Sequence, residues 1–163
     1  MFAPRTRGGL LLRVLVVAGV LMGVAGVLVV TGARVPAPTP GAQWIRGAAL
    51  SVVRTSGVVA VPAAGAFLVD RPGSPPLAIS ARSPQLGEPV RYCRTSGWFE
   101  DAMHGSKFDA LGRYAVGPAP RGLDRFAVRV LDGVVWVAPS AVTQGPPRGT
   151  PTSPPAGPFC VRG

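Results

Sequence analysis

Hydrophobic and polar positions divide the chain into three regimes. From Leu10 to Val30 the sequence is continuously apolar, interrupted by one charge, Arg13. Beyond residue 45 the apolar residues come in short, often β-branched runs punctuated by Gly and Pro. That punctuation predicts strands. The expected strands are Leu50–Arg54, Val58–Val61, Ala66–Asp70, Leu77–Ala81, Pro89–Cys93, Arg113–Val116, Arg125–Leu131 and Val134–Ala138. The last two flank Asp132-Gly133, the dipeptide of a two-residue type I′ turn. Within that hairpin Phe126, Val128 and Val130 alternate with Arg125, Ala127 and Arg129, so one face is expected buried and the other wet. No long stretch after position 34 has clean helical periodicity. In the third regime, residues 145–158, six prolines (146, 147, 151, 154, 155 and 158) leave no room for helix or sheet.

The apolar run carries the first functional implication. Its 21 residues would span about 31 Å as a helix, enough to cross a bilayer core. Arg5, Arg7 and Arg13 lie at its start, so the positive-inside rule places residues 1–9 in the cytoplasm and all that follows outside. A cleaved signal peptide is the other reading, with small residues at Thr31-Gly32-Ala33. The run is longer than an ordinary signal core, which favours a retained transmembrane anchor over residues 10–30. A Pro-rich linker (31–44) follows, holding the next region off the membrane, then a β-domain (45–143) and a Pro-rich tail (144–163).

Composition narrows the classes. Net charge is +10 over 163 residues, carried by sixteen Arg and one Lys against seven acids. The Arg residues are scattered singly through apolar stretches, not bunched with aromatics, which argues against a nucleic-acid partner. One His and two Cys exclude a four-ligand Cys/His zinc site within one chain. Ser51, Ser56 and Ser106 lie in no nucleophile pattern. Glu100 and Asp101 are adjacent carboxylates, read as members of a solvated loop.

Two motifs at a fixed distance carry a family resemblance. His104-Gly105-Ser106-Lys107-Phe108-Asp109, followed by Gly112-Arg113-Tyr114 and the loop Gly117-Pro118-Ala119-Pro120, resembles the second cluster loop and Pro loop of the Rieske iron–sulfur domain. Ser83-Pro84-Gln85-Leu86-Gly87-Glu88 resembles that family's first cluster loop, Cys-x-His-Leu-Gly-Cys. Fifteen residues separate Gln85 from Asp101, close to the family spacing. The resemblance implies an all-β, Rieske-like antiparallel β-sandwich behind an N-terminal transmembrane helix. It also implies a 2Fe–2S cofactor that carries an electron from a quinol to a cytochrome, held by two thiolates on one iron and two imidazoles on the other.

The ligands themselves are largely replaced. Ser83, Gln85 and Asp101 stand at three of the four ligand positions, and His104 alone matches. The family's inter-loop disulfide positions hold Glu88 and Met103. Soft thiolates select iron–sulfur clusters, whereas hydroxyl, amide and carboxylate oxygens are hard donors. The expectation is therefore no bound cofactor and no metal. His104 and Asp101 are expected as a hydrogen-bonded pair. Trp98, Phe99, Met103 and Phe108 bracket the region. Phe108 and Met103 are expected to fill volume that a cluster would occupy, while Trp98 is open between that role and an exposed docking patch. Cys93 and Cys160 match no family ligand or bridge position. In an oxidising compartment they suit one disulfide, closing a loop of 67 sequence steps. A buried free thiol at Cys93 with a loose Cys160, and an intermolecular bond, are the alternatives.

Three readings of function follow. The first is a membrane-anchored, extracytoplasmic Rieske-fold protein without a cluster, an accessory or structural subunit of a membrane complex such as a respiratory one. The second is a working electron-transfer subunit of a quinol–cytochrome oxidoreductase. The third is a secreted ligand-binding β-domain. No intact catalytic constellation is present, so an enzymatic role would be electron transfer within a larger complex.

Overall fold

The computed structural model describes residues 41–161. The anchor expected over 10–30 and the first part of the linker lie outside the described residues. Among those described, no helix is long and apolar enough to cross a membrane.

The chain forms two antiparallel sheets. Strands β1 (Ile45–Ala49), β2 (Val58–Val61), β3 (Ala66–Val69), β4 (Leu77–Ser80), β9 (Arg125–Leu131) and β10 (Val134–Thr143) make the larger, in the order β1-β10-β9-β4-β3-β2. Strands β5 (Val90–Cys93), β6 (Trp98–Asp101), β7 (Lys107–Phe108) and β8 (Tyr114–Val116) make the smaller, in sequential order. The smaller sheet is an insertion between β4 and β9, which pair with each other at Ala78↔Phe126 and Ile79↔Arg125.

One expected strand is a helix. Residues Leu50–Ser56 form α1, not the strand expected at Leu50–Arg54. Val52 and Val53 suggest a strand, but Leu50 and Val53 stand three apart and both face the core cluster, the helical spacing. Gly57, at φ 72°, closes the helix by donating its N–H to Val53 O. The remaining expected strands form, most with ends trimmed by a residue and the last extended to Thr143. Strands β1, β6 and β7 lack a legible signature. In β6 all four residues, Trp98, Phe99, Glu100 and Asp101, are buried, so apolar and polar positions do not alternate.

The Asp132-Gly133 turn has positive φ at both residues, as a type I′ turn requires. The two-faced pattern expected for β9 holds only near its start. Phe126 and Val128 pack against the core, but Val130 and Leu131 are exposed where the hairpin runs past it. Ala127, expected on the wet face, is buried opposite Ala138. The Arg129 guanidinium lies 4.2 Å from the ring centroid of Trp44, tying the end of the linker to the hairpin.

Two apolar clusters hold these layers together. One lies within the larger sheet and under α1, around Val53, Leu68, Val135 and Val137. The other joins the sheets, with Val69 and Ile79 from the larger and Val90, Phe99 and Phe108 from the smaller. Phe99 stands at its centre, 5.1 Å from Phe67 and 5.3 Å from Tyr92 by ring centroids. Deleting its ring should cost roughly 3–5 kcal/mol, because a rigid two-sheet contact cannot collapse into the cavity. Denaturant unfolding of Phe99→Ala measures this, and a loss below about 1 kcal/mol would show that the two sheets do not depend on this contact.

Candidate functional site at the end of the small sheet

The register of β5 and β6 builds the site. Val90 opens β5 and pairs with Asp101, which closes β6. The loop before Val90 and the loop after Asp101 therefore leave the small sheet at the same end.

The first loop, Arg82 to Pro89, is closed at its base by a bridge between those two residues. Within it Ser83 N–H donates to Glu88 O at 2.8 Å and Gly87 N–H to Ser83 O at 3.0 Å. The second loop is closed by Asp101 N–H to Ser106 O at 2.8 Å and Gly105 N–H to Asp101 O at 2.9 Å. The Pro loop, Gly117 to Pro120, backs onto it. Ala119 N–H donates to Ser106 Oγ at 3.0 Å, and Tyr114 Oη–H to Gly117 O at 2.6 Å. Arg148 donates to the carbonyls of Ala119 and Gly117 and lies over the Tyr114 ring. Gly117 has φ 102°, and a Cβ there would sit 2.5 Å from Ser106 Cα, so the two loops touch only because this residue has no side chain.

Ser83, Gln85, Asp101 and His104, the residues expected at the four ligand positions, fall at this end. Asp101 is fully buried. Its Oδ1 accepts the backbone N–H groups of Met103 at 2.9 Å and His104 at 3.0 Å. Its Oδ2 lies 3.6 Å from His104 Nδ1, too far for the hydrogen bond expected between them. Ser83 is buried. Ser83 Oγ, Gln85 Oε1, Asp101 Oδ2 and His104 Nδ1 all lack a hydrogen-bond partner and are buried as atoms. Of the positions matching the family's bridge, Glu88 is half-buried. Met103 is 70% exposed, so it fills no interior volume and the packing role expected of it is corrected. Leu86 of the first loop is 68% exposed. Phe108, Phe99 and Trp98 are buried, and Trp98 stacks on Phe159 at 5.5 Å. Of the two roles left open for Trp98, its burial leaves the packing one.

A 2Fe–2S cluster does not fit this donor set. The four buried atoms are three oxygens and one nitrogen, with a single carboxylate and no sulfur. The two cysteines stand outside both loops and bond to each other, with Cα atoms 5.7 Å apart. Hard, mostly neutral donors cannot replace the two thiolates that neutralise a diferric core.

Glu100 and Asp101 are both buried, which corrects their reading as a solvated loop. Successive strand residues face opposite sides, so they do not converge. The Glu100 carboxylate accepts from Ser96 Oγ at 3.0 Å and from the backbone N–H groups of Cys160 at 3.2 Å and Val161 at 2.7 Å. Asp109 is the other buried carboxylate. It is bound by Arg113 Nε at 2.7 Å and by the N–H groups of Leu111, Arg113 and Ser153. Nearby, burial and then the charges of Arg71 and Arg113 push the Arg125 guanidinium below its usual range, with Asp109 opposing them. The contacts of Ser153, Cys160 and Val161 with these carboxylates had no sequence signal, because they join backbone groups of the tail to residues 44 to 61 positions away.

No family model and no curated protein matches the chain. Among solved structures it is similar to the plasma membrane Rieske protein PetC3 of the cyanobacterium Synechocystis PCC 6803, at 22% identity and a TM-score of 0.48, over 57% of this chain and 97% of that one. The two loop motifs and the Pro loop are the features of this chain that resemble the Rieske domain in sequence.

The Cys93–Cys160 bond closes 67 sequence steps and fastens the tail across β5 and β6. Chain-entropy reasoning gives that closure about 4 kcal/mol. Cys160→Ser should lower unfolding stability by about that amount, read as a shift in the denaturant midpoint. An unchanged midpoint would assign the fastening to the Glu100 hydrogen bonds alone.

Proposed function

We propose that this is a membrane-anchored, extracytoplasmic protein with a Rieske-like domain that carries no 2Fe–2S cluster and serves as an accessory or structural subunit of a membrane complex. The observation that carries the reading is the donor set: Ser83, Gln85 and Asp101 replace two thiolates and an imidazole, while both loops and the Pro loop keep a closed, hydrogen-bonded form. A cluster-free domain has no redox centre to pass electrons, so its contribution is surface and position. The exposed Leu86 and Met103 stand on the two loops of that end. Anchoring is supported by the uncharged run Val14–Val30 and by Arg5, Arg7 and Arg13 at its start.

The full chain, produced with ample iron and sulfide, should be colourless and give no EPR signal on reduction. Near-stoichiometric iron and acid-labile sulfide would instead establish the electron-transfer reading. For topology, a reporter active only outside the cytoplasm should work when fused after Gly163 and fail at the N-terminus, with the reverse pattern overturning the assigned orientation. A mature protein whose intact mass lacks residues 1–33 would favour the secreted reading.

A further inference from the structure

One face of the larger sheet is packed against the small sheet around Phe67 and Ile79, on β3 and β4. Farther along the sheet, strands β1, β10 and β9 carry a row of large side chains. Arg46, Trp136 and Arg129 are cross-strand partners, so they stand side by side on one face. Val135, Val137 and Val128 alternate with them and pack into the core, which makes that face the outward one. The Arg129 guanidinium lies 4.2 Å from the ring centroid of Trp44 and 5.9 Å from that of Trp136. Two residues after Arg129, Leu131 continues the face and is 49% exposed. Arg46 and Arg129 are exposed, and Trp44 and Trp136 are half-buried. The ion pairs among the described residues use His104, Arg113 and Arg121, and neither of these two arginines. Asp132, at the turn, is the one acid in residues 125–143.

We propose that this face rests on an anionic phospholipid surface, with Trp44 and Trp136 in the headgroup layer and Arg46 and Arg129 on the phosphates. The inference rests on the reading of the chain as membrane-anchored. Three observations carry it. The first is residue type. Trp has an apolar ring and a polar N–H, which suits it to the boundary between lipid and water, and Arg presents a planar fork that matches phosphate. The second is charge. Two guanidinium groups outside any ion pair complement anionic headgroups. The contact of Arg129 with Trp44 already holds cation and ring together, so less side-chain freedom is lost on docking. The third is place in the chain. Residues 31–43 alone separate Trp44 from the apolar run that ends at Val30, and extended they reach at most about 45 Å. A linker of that length permits contact with the bilayer as well as the separation expected of it.

The test is tryptophan fluorescence of the full chain reconstituted into vesicles of brominated phosphatidylcholine, with and without phosphatidylglycerol. The three tryptophans are Trp44, Trp98 and Trp136, so quenching by bromine reports the domain and not the apolar run. Two of the three lie on this face, and Trp98 is buried against Phe159, so phosphatidylglycerol should lower the fluorescence to roughly half or less. In Trp44→Phe/Trp136→Phe the remaining Trp98 signal should be unquenched. Arg46→Gln should lower the ratio of docked to free domain about fivefold, and Arg46→Gln/Arg129→Gln about 25-fold, read from the quenched fraction. If the double arginine variant fails to fold by circular dichroism, Arg46→Gln decides, since its side chain is exposed. Unquenched fluorescence in a chain that floats with the vesicles and resists carbonate extraction overturns the proposal and leaves the anchored reading intact. A chain that carbonate extracts overturns the anchored reading itself. Quenching that ignores phosphatidylglycerol, or that a folded Arg46→Gln chain retains in full, overturns the assignment of the phosphates to these arginines.

Discussion

The pairing of β5 with β6 is the constraint on which the rest of the molecule depends. Its four residue pairs, Val90↔Asp101 to Cys93↔Trp98, give the hairpin two ends and two faces, each put to a different use. At the Val90–Asp101 end the two motif loops emerge side by side. At the Cys93–Trp98 end the tail is fastened through Cys160. Across the strand, Phe99 and Asp101 share one face, and Phe99 packs onto the larger sheet through Phe67. Trp98 and Glu100 share the other, against Phe159, Cys160 and Val161. A shift of one residue in β6 would exchange these faces, placing Glu100 in the apolar inter-sheet cluster and Phe99 against the tail.

Burying both faces of so short a strand means burying charge. The protein meets that cost with backbone amides more than with opposite charges. Glu100 takes two N–H groups from the tail, Asp101 takes two from its own loop, and Asp109 takes three in addition to Arg113. Carboxylates held in this way set chain geometry as firmly as an apolar core does, because each lost amide would leave a buried charge undersatisfied. The Pro-rich tail gains its shape from them. Among its described residues it has neither helix nor strand, yet Ser153, Cys160 and Val161 are each held by an acidic side chain of the domain.

The same economy accounts for the closed form of the second motif loop. Ser106 accepts the Ala119 amide, Gly117 permits the contact of the second loop with the Pro loop, and Asp109 organises the turn that leads into β8. Each has structural work that requires no cluster.

The sequence alone determined whatever depends on local chemistry. Gly and Pro punctuation marked most strands, Asp132-Gly133 marked the tightest turn, and the motif at His104–Asp109 with its distance from Ser83–Glu88 marked both loops. An even pair of cysteines, with neither at a ligand position, pointed to the bond that forms. Only the tertiary structure decided which charged residues would be buried. Nothing in the row Trp98-Phe99-Glu100-Asp101 says that both of its faces are covered, since the covers come from a tail about sixty residues later and a sheet thirty residues earlier. Helix α1 was likewise settled by packing, where the placement of Leu50 and Val53 against the core outweighed the β-branched character of Val52 and Val53. His104 and Asp101 read along the chain as a hydrogen-bonded pair. The fold gives one Asp101 oxygen to the amides of Met103 and His104 and sets the other 3.6 Å from the imidazole, a division between the two oxygens that depends on how the loop folds back on β6.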